Sequence, residues 1–432
     1  MPYHPFFERI VELADSIGNF IVPIAGGLIS FFEMRDAWRE KRIRDFNNAG
    51  EFSPEDRGEY AENCLEIYRQ QYAQEIERGE VVVRDLIYPR VWLQRPDQDD
   101  FMLLKDVKVE ISDTKWDKHP PTTWFLPYPW DGYVSNKKTV QAGKSLMFNG
   151  RLFALEGMHG DASRGNLAVT VKTGGYFDFL NTCEYLVHEM AHARRVRRKR
   201  PPKRLHPFCG LYNRHRQADI LDLSNRFAGI GINTATLLYN VELEDGTMES
   251  FILMHQRSNR VAEGIGALHV IPAGSYQPVG LELKSDFNRQ MVNTVYREFG
   301  EELLGVKEFY HLGDEDLLDP KYRRWDVLFL GMGIEPLNTK IEVLTAMQID
   351  MDDPDNREMF GGHHTLEGLQ KFFHTNYEGS LILVPLNGPN LRQYQRDPRT
   401  TPPGKEILSI ILEHEAFFDR CPTKKAEAEV HS

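Results

Sequence analysis

Residues 286–305 read DFNRQMVNTVYREFGEELLG, and this stretch decides how the chain is interpreted. Apolar residues recur at every fourth position, which is typical of a helix that buries one face. They are Phe287, Met291, Val295, Phe299 and Leu303. The stretch therefore predicts a helix packed against a core.

Three carboxylates, Glu298, Glu301 and Glu302, stand at positions i, i+3 and i+4 of this predicted helix. That spacing brings like charges together on one surface, where they repel each other. Hard divalent cations such as Mg²⁺ and Mn²⁺ prefer carboxylate oxygens as ligands. The spacing predicts a divalent metal site, and the alternative is the solvated face of an ordinary helix.

The order REFGEE at residues 297–302 resembles the core of the Nudix box, the strand-loop-helix signature of hydrolases that act on nucleoside diphosphates linked to another group. The resemblance implies that Glu298, Glu301 and Glu302 hold Mg²⁺ or Mn²⁺ and that one of them orients the attacking water. It also implies that Arg297 braces these acids through ion pairs.

If Gly274 is the first glycine of the box, the resemblance implies that Gly274 and Arg297 contact the substrate. From Gly274 to Arg297 the loop is longer than the family's by about nine residues. Gly280 stands at the offset where the family usually has a glutamate. In Nudix folds a later acid often completes the metal site or acts as base. That expectation extends to four acids, Glu335, Glu342, Asp350 and Asp352.

The sequence around the box predicts the strands of a mixed sheet. Residues 231–254 read as a hairpin with its turn at Asp245 and Gly246, and residues 269–274 read as a strand that ends in a turn. Further strands are predicted at 325–331, 340–349 and, as a buried strand, 381–386.

Helices are predicted on either side of these strands. One begins after Ser53, which is suited to cap it, and another begins near Phe177 after two strands at 151–155 and 166–171. Residues 365–373 and 406–418 predict two more.

The fold class predicted from these patterns is α+β, with a C-terminal Nudix-like mixed sheet and flanking helices. An α/β middle region and an N-terminal apolar helical segment precede it. The predicted parts are an apolar segment and possible membrane helix at 1–50, a middle region with a basic loop at 51–215, a Nudix-like domain at 216–400, and a C-terminal helix and tail at 401–432.

Composition limits the classes of partner. The 432 residues carry a formal net charge of −12, which argues against a general binder of polyanions. Four scattered cysteines form no Cys-x-x-Cys pair, so the pattern fits a reducing cytosol and suggests no disulfide framework.

Residues 17–32, IGNFIVPIAGGLISFF, contain no charge. As a helix they would reach about 24 Å, against the roughly 30 Å of a hydrocarbon core. Basic residues follow in the flank up to residue 44, and the positive-inside rule then predicts a bacterial inner-membrane protein whose bulk is cytoplasmic. The alternative is a buried helix or a hairpin for homo-oligomerisation in a cytoplasmic protein.

Two further motifs lie in the middle region. His188, Glu189 and His192 match the His-Glu-x-x-His pattern, in which two histidines bind Zn²⁺ and the glutamate acts as general base, so a zinc metallopeptidase is an alternative. The basic run 194–204 carries eight positive charges. It predicts a solvated loop or a patch for phosphates or anionic membrane lipid.

Two functions therefore follow from the sequence. The first is a Mg²⁺-dependent hydrolase of a nucleoside diphosphate derivative. The second is a membrane-associated sensor that binds a nucleotide-derived signal such as a cyclic oligonucleotide, similar in architecture to the transmembrane-Nudix effectors of bacterial anti-phage defence.

Overall fold

A computed structural model of the chain describes residues 53–94, 101–116, 149–196, 219–257, 266–280, 282–305, 323–373 and 379–420. The predicted apolar segment at 1–50 and the tail after residue 420 lie outside these ranges. The side chains of the basic run 194–204 lie outside them as well. Within the described part of the chain, no helix is long and apolar enough to cross a membrane.

The described part of the chain contains α-helices of very different length. Their bounds are α1 (Pro54–Gln71), α2 (Ala73–Glu77), α3 (Tyr176–Phe179), α4 (Tyr185–Val196), α5 (Val292–Leu304), α6 (Pro354–Met359), α7 (Leu366–Phe373), α8 (Gly388–Arg396) and α9 (Pro402–Glu413). A π-helical turn over Leu180–Glu184 joins α3 to α4.

The strands are rich in β-branched and other apolar residues. Their bounds are β1 (Val81–Val83), β2 (Ile87–Pro89), β3 (Lys108–Lys115), β4 (Arg151–His159), β5 (Ala168–Gly175), β6 (Ile230–Glu242), β7 (Met248–Arg257), β8 (Leu268–Val270), β9 (Ala273–Ser275), β10 (Val327–Ile334), β11 (Ile341–Asp350) and β12 (Gly379–Pro385). The predicted α+β class is confirmed.

A nine-stranded mixed sheet forms the centre, in the order β1-β2-β10-β11-β6-β7-β12, with β8 on β7 and β9 on β6. Strands β6 and β11 run parallel from the pair Ile230 and Ile341 to the pair Tyr239 and Asp350. The other pairings in this sheet are antiparallel. A separate three-stranded sheet has the order β3-β5-β4.

The sheet separates two apolar layers. Helix α5 packs with Phe299 and Val295 on one side, in the same cluster as Ile232 of β6. Helix α9 packs on the other side, where Ile407 and Leu237 share a second cluster. Successive residues of a strand point to opposite faces, so β6 and β11 bury side chains in both layers.

The predicted hairpin is confirmed as β6 and β7, with Gly246 at a positive φ of 79° in its turn. Ser53 caps α1 by accepting a hydrogen bond from the backbone N–H of Asp56 at 3.2 Å. The single strand predicted at 269–274 is two strands. Pro272 separates them, because it has no N–H to donate to a neighbouring strand. Strand β8, before it, pairs with β7, and strand β9, after it, pairs with β6.

The helix predicted from residue 286 begins only at Val292. Asn288 explains the difference, because its side-chain amide donates to the backbone oxygens of Val279 and Glu282 at 3.0 and 2.9 Å. Its carbonyl oxygen accepts from the N–H of Val279 at 2.8 Å. These bonds hold residues 282–291 as turns, and asparagine side chains commonly compete with helix in this way.

Two predictions near the C-terminus are also corrected. Strand β12, predicted to be buried at 381–386, is mostly half-buried, since only Val384 within it is fully covered. The last helix begins at Pro402 rather than at residue 406, because Thr401 caps it and prolines suit a first helical turn. Helix α8 was not predicted, since its sequence has little apolar periodicity.

Arg84, which lies between β1 and β2, forms an ion pair with Glu406 of α9. The Arg84 side chain lies 3.0 Å from the fully buried carboxylate of Glu406 and 2.7 Å from the more exposed Glu413. The backbone N–H of Asp85 donates to Glu406 at 3.0 Å. Burial raises the pKa of Glu406 to about 7, and the positive charge of Arg84 offsets only part of this effect.

We expect Glu406→Gln to change how stability depends on pH. Because the folded pKa lies above the usual value of 4.5, the contribution of Glu406 to stability is largest below pH 4.5 and is lost as the pH rises to about 7. The amide lacks this loss, so the variant should gain about 1–3 kcal/mol relative to wild type between those pH values. Denaturant unfolding at several pH values measures it.

Glu413→Gln is the matched control, because it removes the exposed carboxylate that contacts the same arginine. Parallel pH profiles for wild type and Glu406→Gln would contradict the expectation.

Candidate functional site

Helix α5 holds the predicted acids at the edge of the apolar layer. Its buried face fixes the helix, while Arg297, Glu298 and Glu301 keep 12%, 13% and 14% of their side chains exposed. Gly305 ends the helix with a φ of 67°, a conformation that glycine adopts without strain. The acids therefore project from a rigid element and are mostly, but not completely, buried.

Arg297 lies between two of the acids. Its guanidinium nitrogens are 2.5 Å from Glu298 Oε1 and 3.2 Å from Glu301 Oε2. These are the ion pairs that the Nudix resemblance implies for this arginine. At this partial burial the pairs are charge-assisted hydrogen bonds that fix both carboxylates.

Strand β9 contacts the other side of the acids. The Ala273 backbone N–H donates to Glu302 Oε2 at 2.9 Å. The Glu298 carboxylate packs on Gly274, and a β-carbon at Gly274 would lie 2.0 Å from Glu298 Oε1. Glycine is therefore required at position 274 by the closeness of an acid, although its backbone angles are ordinary.

A cavity of about 220 Å³ with polar and apolar lining borders β9. Its wall includes Ala273, Gly274 and Ser275, so the strand that contacts the acids also borders the cavity. The remaining walls come from the first turns of α1 and α9, from α3, from parts of β6, β7, β8 and β11, and from the turn between β10 and β11. Its charged lining consists of Arg57, Arg257, Lys340, Arg399, Glu335 and Glu342.

The structure divides the four downstream acids into two groups. Glu335 and Glu342 line the cavity and are buried. Asp350 and Asp352 lie at the end of β11 and are exposed, where Asp350 accepts from Asn240 and Asp352 pairs with Arg357. Only the first pair is near the strand that carries Gly274.

Glu335 and Glu342 differ in their partners. Glu335 Oε2 accepts from the backbone N–H groups of Leu337 and Asn338 at 2.9 and 2.5 Å. Burial raises the pKa of Glu335 to about 7. Glu342 accepts from the Asn233 side chain at 2.8 Å and lies 3.6 Å from the Lys340 ammonium. A carboxyl that titrates near neutral pH is suited to general acid–base chemistry.

The carboxylates of Glu298, Glu301 and Glu302 are oxygen donors of the kind that Mg²⁺ prefers. Two of them, Glu298 and Glu301, pair with Arg297, and Glu302 accepts from the Ala273 N–H. Among the described residues, no three histidine, cysteine or acidic side chains already surround one point. Metal binding would therefore require Glu298 or Glu301 to turn away from Arg297.

The His-Glu-x-x-His pattern lies on helix α4, which follows the π-helical turn. Glu189 is 1% exposed. The side chains of His188 and His192 lie outside the described part of the chain, and the zinc hypothesis therefore stays a prediction.

Sequence reasoning did not select the cavity's basic residues. Arg57, Arg257 and Arg399 are far apart in the chain, and they stand in a helix, a strand and a turn respectively. His269 was recognised only as part of a strand. The sequence offered one signal for the cavity, the small residues Ala273, Gly274 and Ser275 after Pro272, which allow close approach of other groups.

The chain matches no family model and no curated protein sequence.

We expect Gly274→Ala to destabilise the site. The new β-carbon would collide with the Glu298 carboxylate, whose carbon and oxygen atoms lie within 2.6 Å of its position. The cost should be on the order of 1–3 kcal/mol in unfolding free energy. Denaturant titration measures the change. Gly157→Ala is the control, since a β-carbon there meets nothing within 4 Å; equal effects of the two substitutions would refute the crowding argument.

Proposed function

We propose that this chain is a Nudix-like protein that binds a nucleotide and hydrolyses a nucleoside diphosphate derivative with Mg²⁺ or Mn²⁺. One observation carries the proposal. Glu302 bonds to Ala273 and Glu298 packs on Gly274, while both small residues also border the cavity. A ligand in the cavity therefore lies one strand away from the acidic helix.

Each part of the site has a role in this proposal. Glu298, Glu301 and Glu302 would hold the cation, which supplies a polarised phosphate and a bound water of lowered pKa. Arg297 holds Glu298 and Glu301 in place through its ion pairs. The exposed backbone of Gly274 allows a phosphate to approach without meeting a side chain.

A single carboxylate-to-amide change should separate turnover from binding. We expect Glu301→Gln and Glu302→Gln to lower Mg²⁺-dependent phosphate release by roughly 100-fold or more, because each removes a charged metal ligand. Nucleotide affinity should change little, since neither side chain lines the cavity. Release from a panel of nucleoside diphosphate derivatives measures turnover, and calorimetry measures affinity.

Glu282→Gln, at an exposed acid on the loop before α5, is the control. Absence of Mg²⁺- or Mn²⁺-dependent release from the whole panel would refute hydrolysis. A wild-type rate in Glu301→Gln and Glu302→Gln would remove these residues from the site.

A second function, nucleotide sensing, is favoured by the position of α1. Pro54, Arg57 and Gly58 line the cavity, and α1 follows directly on residues 1–52. Arg57 is held by two hydrogen bonds to the buried Glu184, at 3.1 and 3.3 Å. A ligand that contacts this first turn would act on the element next to the apolar N-terminal segment.

Sensing predicts assembly without turnover. Addition of a cyclic oligonucleotide should increase the oligomer size of the full chain or cause leakage of lipid vesicles, and deletion of residues 17–32 should abolish the effect. Light scattering and dye release measure these two outcomes. A bound ligand that changes neither would refute sensing.

A further inference from the structure

Two buried nitrogen atoms in the cavity wall have no hydrogen-bond partner among the described residues. They are Nε of Arg257 and Nδ1 of His269. His269 is 6% exposed, and both residues line the cavity. A buried polar atom left without a partner costs about 1–3 kcal/mol, so such atoms normally have one. Both side chains therefore have unused hydrogen-bonding capacity in the wall of the same cavity.

The surrounding charges favour an anion. Lys340 and Arg399 line the same cavity, and helix α9 begins beside it at Pro402. The N-terminal end of a helix carries partial positive charge. Burial, followed by the nearby Arg257, holds the pKa of His269 well below its usual value. The imidazole of His269 is therefore neutral and retains one N–H donor.

The acids of the cavity have partners within its own wall. Glu342 contacts Asn233 and Lys340, and Glu335 accepts the two backbone N–H groups of the turn at residues 337–338. Asp397 forms an ion pair with Arg399, with 2.7 Å between Asp397 Oδ2 and Arg399 Nη2, and partly neutralises its charge. Arg257 is the cation of this wall that has no ion-pair partner among the described residues.

We propose that Arg257, His269, Lys340 and Arg399 form a binding site for a phosphate group. The cavity volume of about 220 Å³ is smaller than the ~300 Å³ at which pockets for drug-sized ligands begin, so it suits a compact group rather than a whole dinucleotide. Strand β9 borders the site and also contacts the acids of α5. The inference rests on the proposed function, which makes the ligand a nucleotide. That nucleotide would carry a phosphate group in this site in addition to the diphosphate that is cleaved.

Phosphate binding is measured by calorimetry on the full chain in metal-free buffer, with inorganic phosphate as the probe. Arg257→Gln should weaken binding at least tenfold, because a charge-assisted hydrogen bond is lost. Arg399→Gln, at the more exposed edge of the cavity, should also weaken phosphate binding. It is the second test if Arg257→Gln does not fold. Arg396→Gln, at an exposed arginine of the same region that does not line the cavity, is the control.

Three ligands identify the source of the phosphate. Tighter binding of adenosine 5′-monophosphate than of inorganic phosphate, without binding of adenosine, assigns the group to a nucleotide. Tighter binding of inorganic phosphate assigns the site to the free ion, and both outcomes support a phosphate site. Displacement of phosphate by equal concentrations of acetate would overturn it, because a carboxylate would then suffice.

Absence of phosphate binding at millimolar concentration would refute the inference, as would unchanged affinity in Arg257→Gln and Arg399→Gln. The two proposals fail separately. Bound phosphate without hydrolysis of any nucleotide contradicts the proposed function alone, whereas hydrolysis without phosphate binding in metal-free buffer contradicts this inference alone.

Discussion

The parallel pairing of β6 with β11 is the constraint on which the rest of the structure depends. Ten consecutive residue pairs join the two strands, and apolar side chains cover both of their faces. A parallel pair needs a long connection between its strands, and it is stable only when both faces are covered. Helices must therefore pack on each side of the sheet, and α5 and α9 do so.

One end of that pair carries a buried carboxylate, Glu342. Where β7 leaves β6, the short strand β9 replaces it, from Gly231 to Asn233. Short strands of small residues leave room for charged side chains beside a buried sheet. Asn233 and Glu342 meet there at 2.8 Å, and their hydrogen bond offsets part of the cost of burying a carboxylate. The same gap brings the acids of α5 near the cavity.

Local sequence patterns predicted the parts of the fold that depend on local physics. The buried face of α5, the turn at Gly246 and the cap at Ser53 each follow from residues a few positions apart. The start of α5 was not predicted correctly, because Asn288 forms hydrogen bonds with residues outside the helix. Apolar periodicity indicates a preference for helix. It gives no information about a side chain that takes the backbone hydrogen bonds a helix would use.

The candidate site was predictable only in its acidic half. Glu298, Glu301 and Glu302 lie within one helical turn, so their spacing places them together. Arg57 and Arg399 lie near opposite ends of the described chain, and only the completed sheet brings them to one cavity. Nothing in the spacing of residues distinguishes them from other surface arginines.

The cavity has walls from the first and the last helices of the described chain, and this has a consequence for stability. An occupant that touches α1 and the start of α9 at once binds only while both are docked on the sheet. By thermodynamic linkage, occupancy would then raise the free energy required to detach either helix. Protection of the amides of α1 and α9 against hydrogen exchange would rise together, and proteolysis at both ends would decline in parallel.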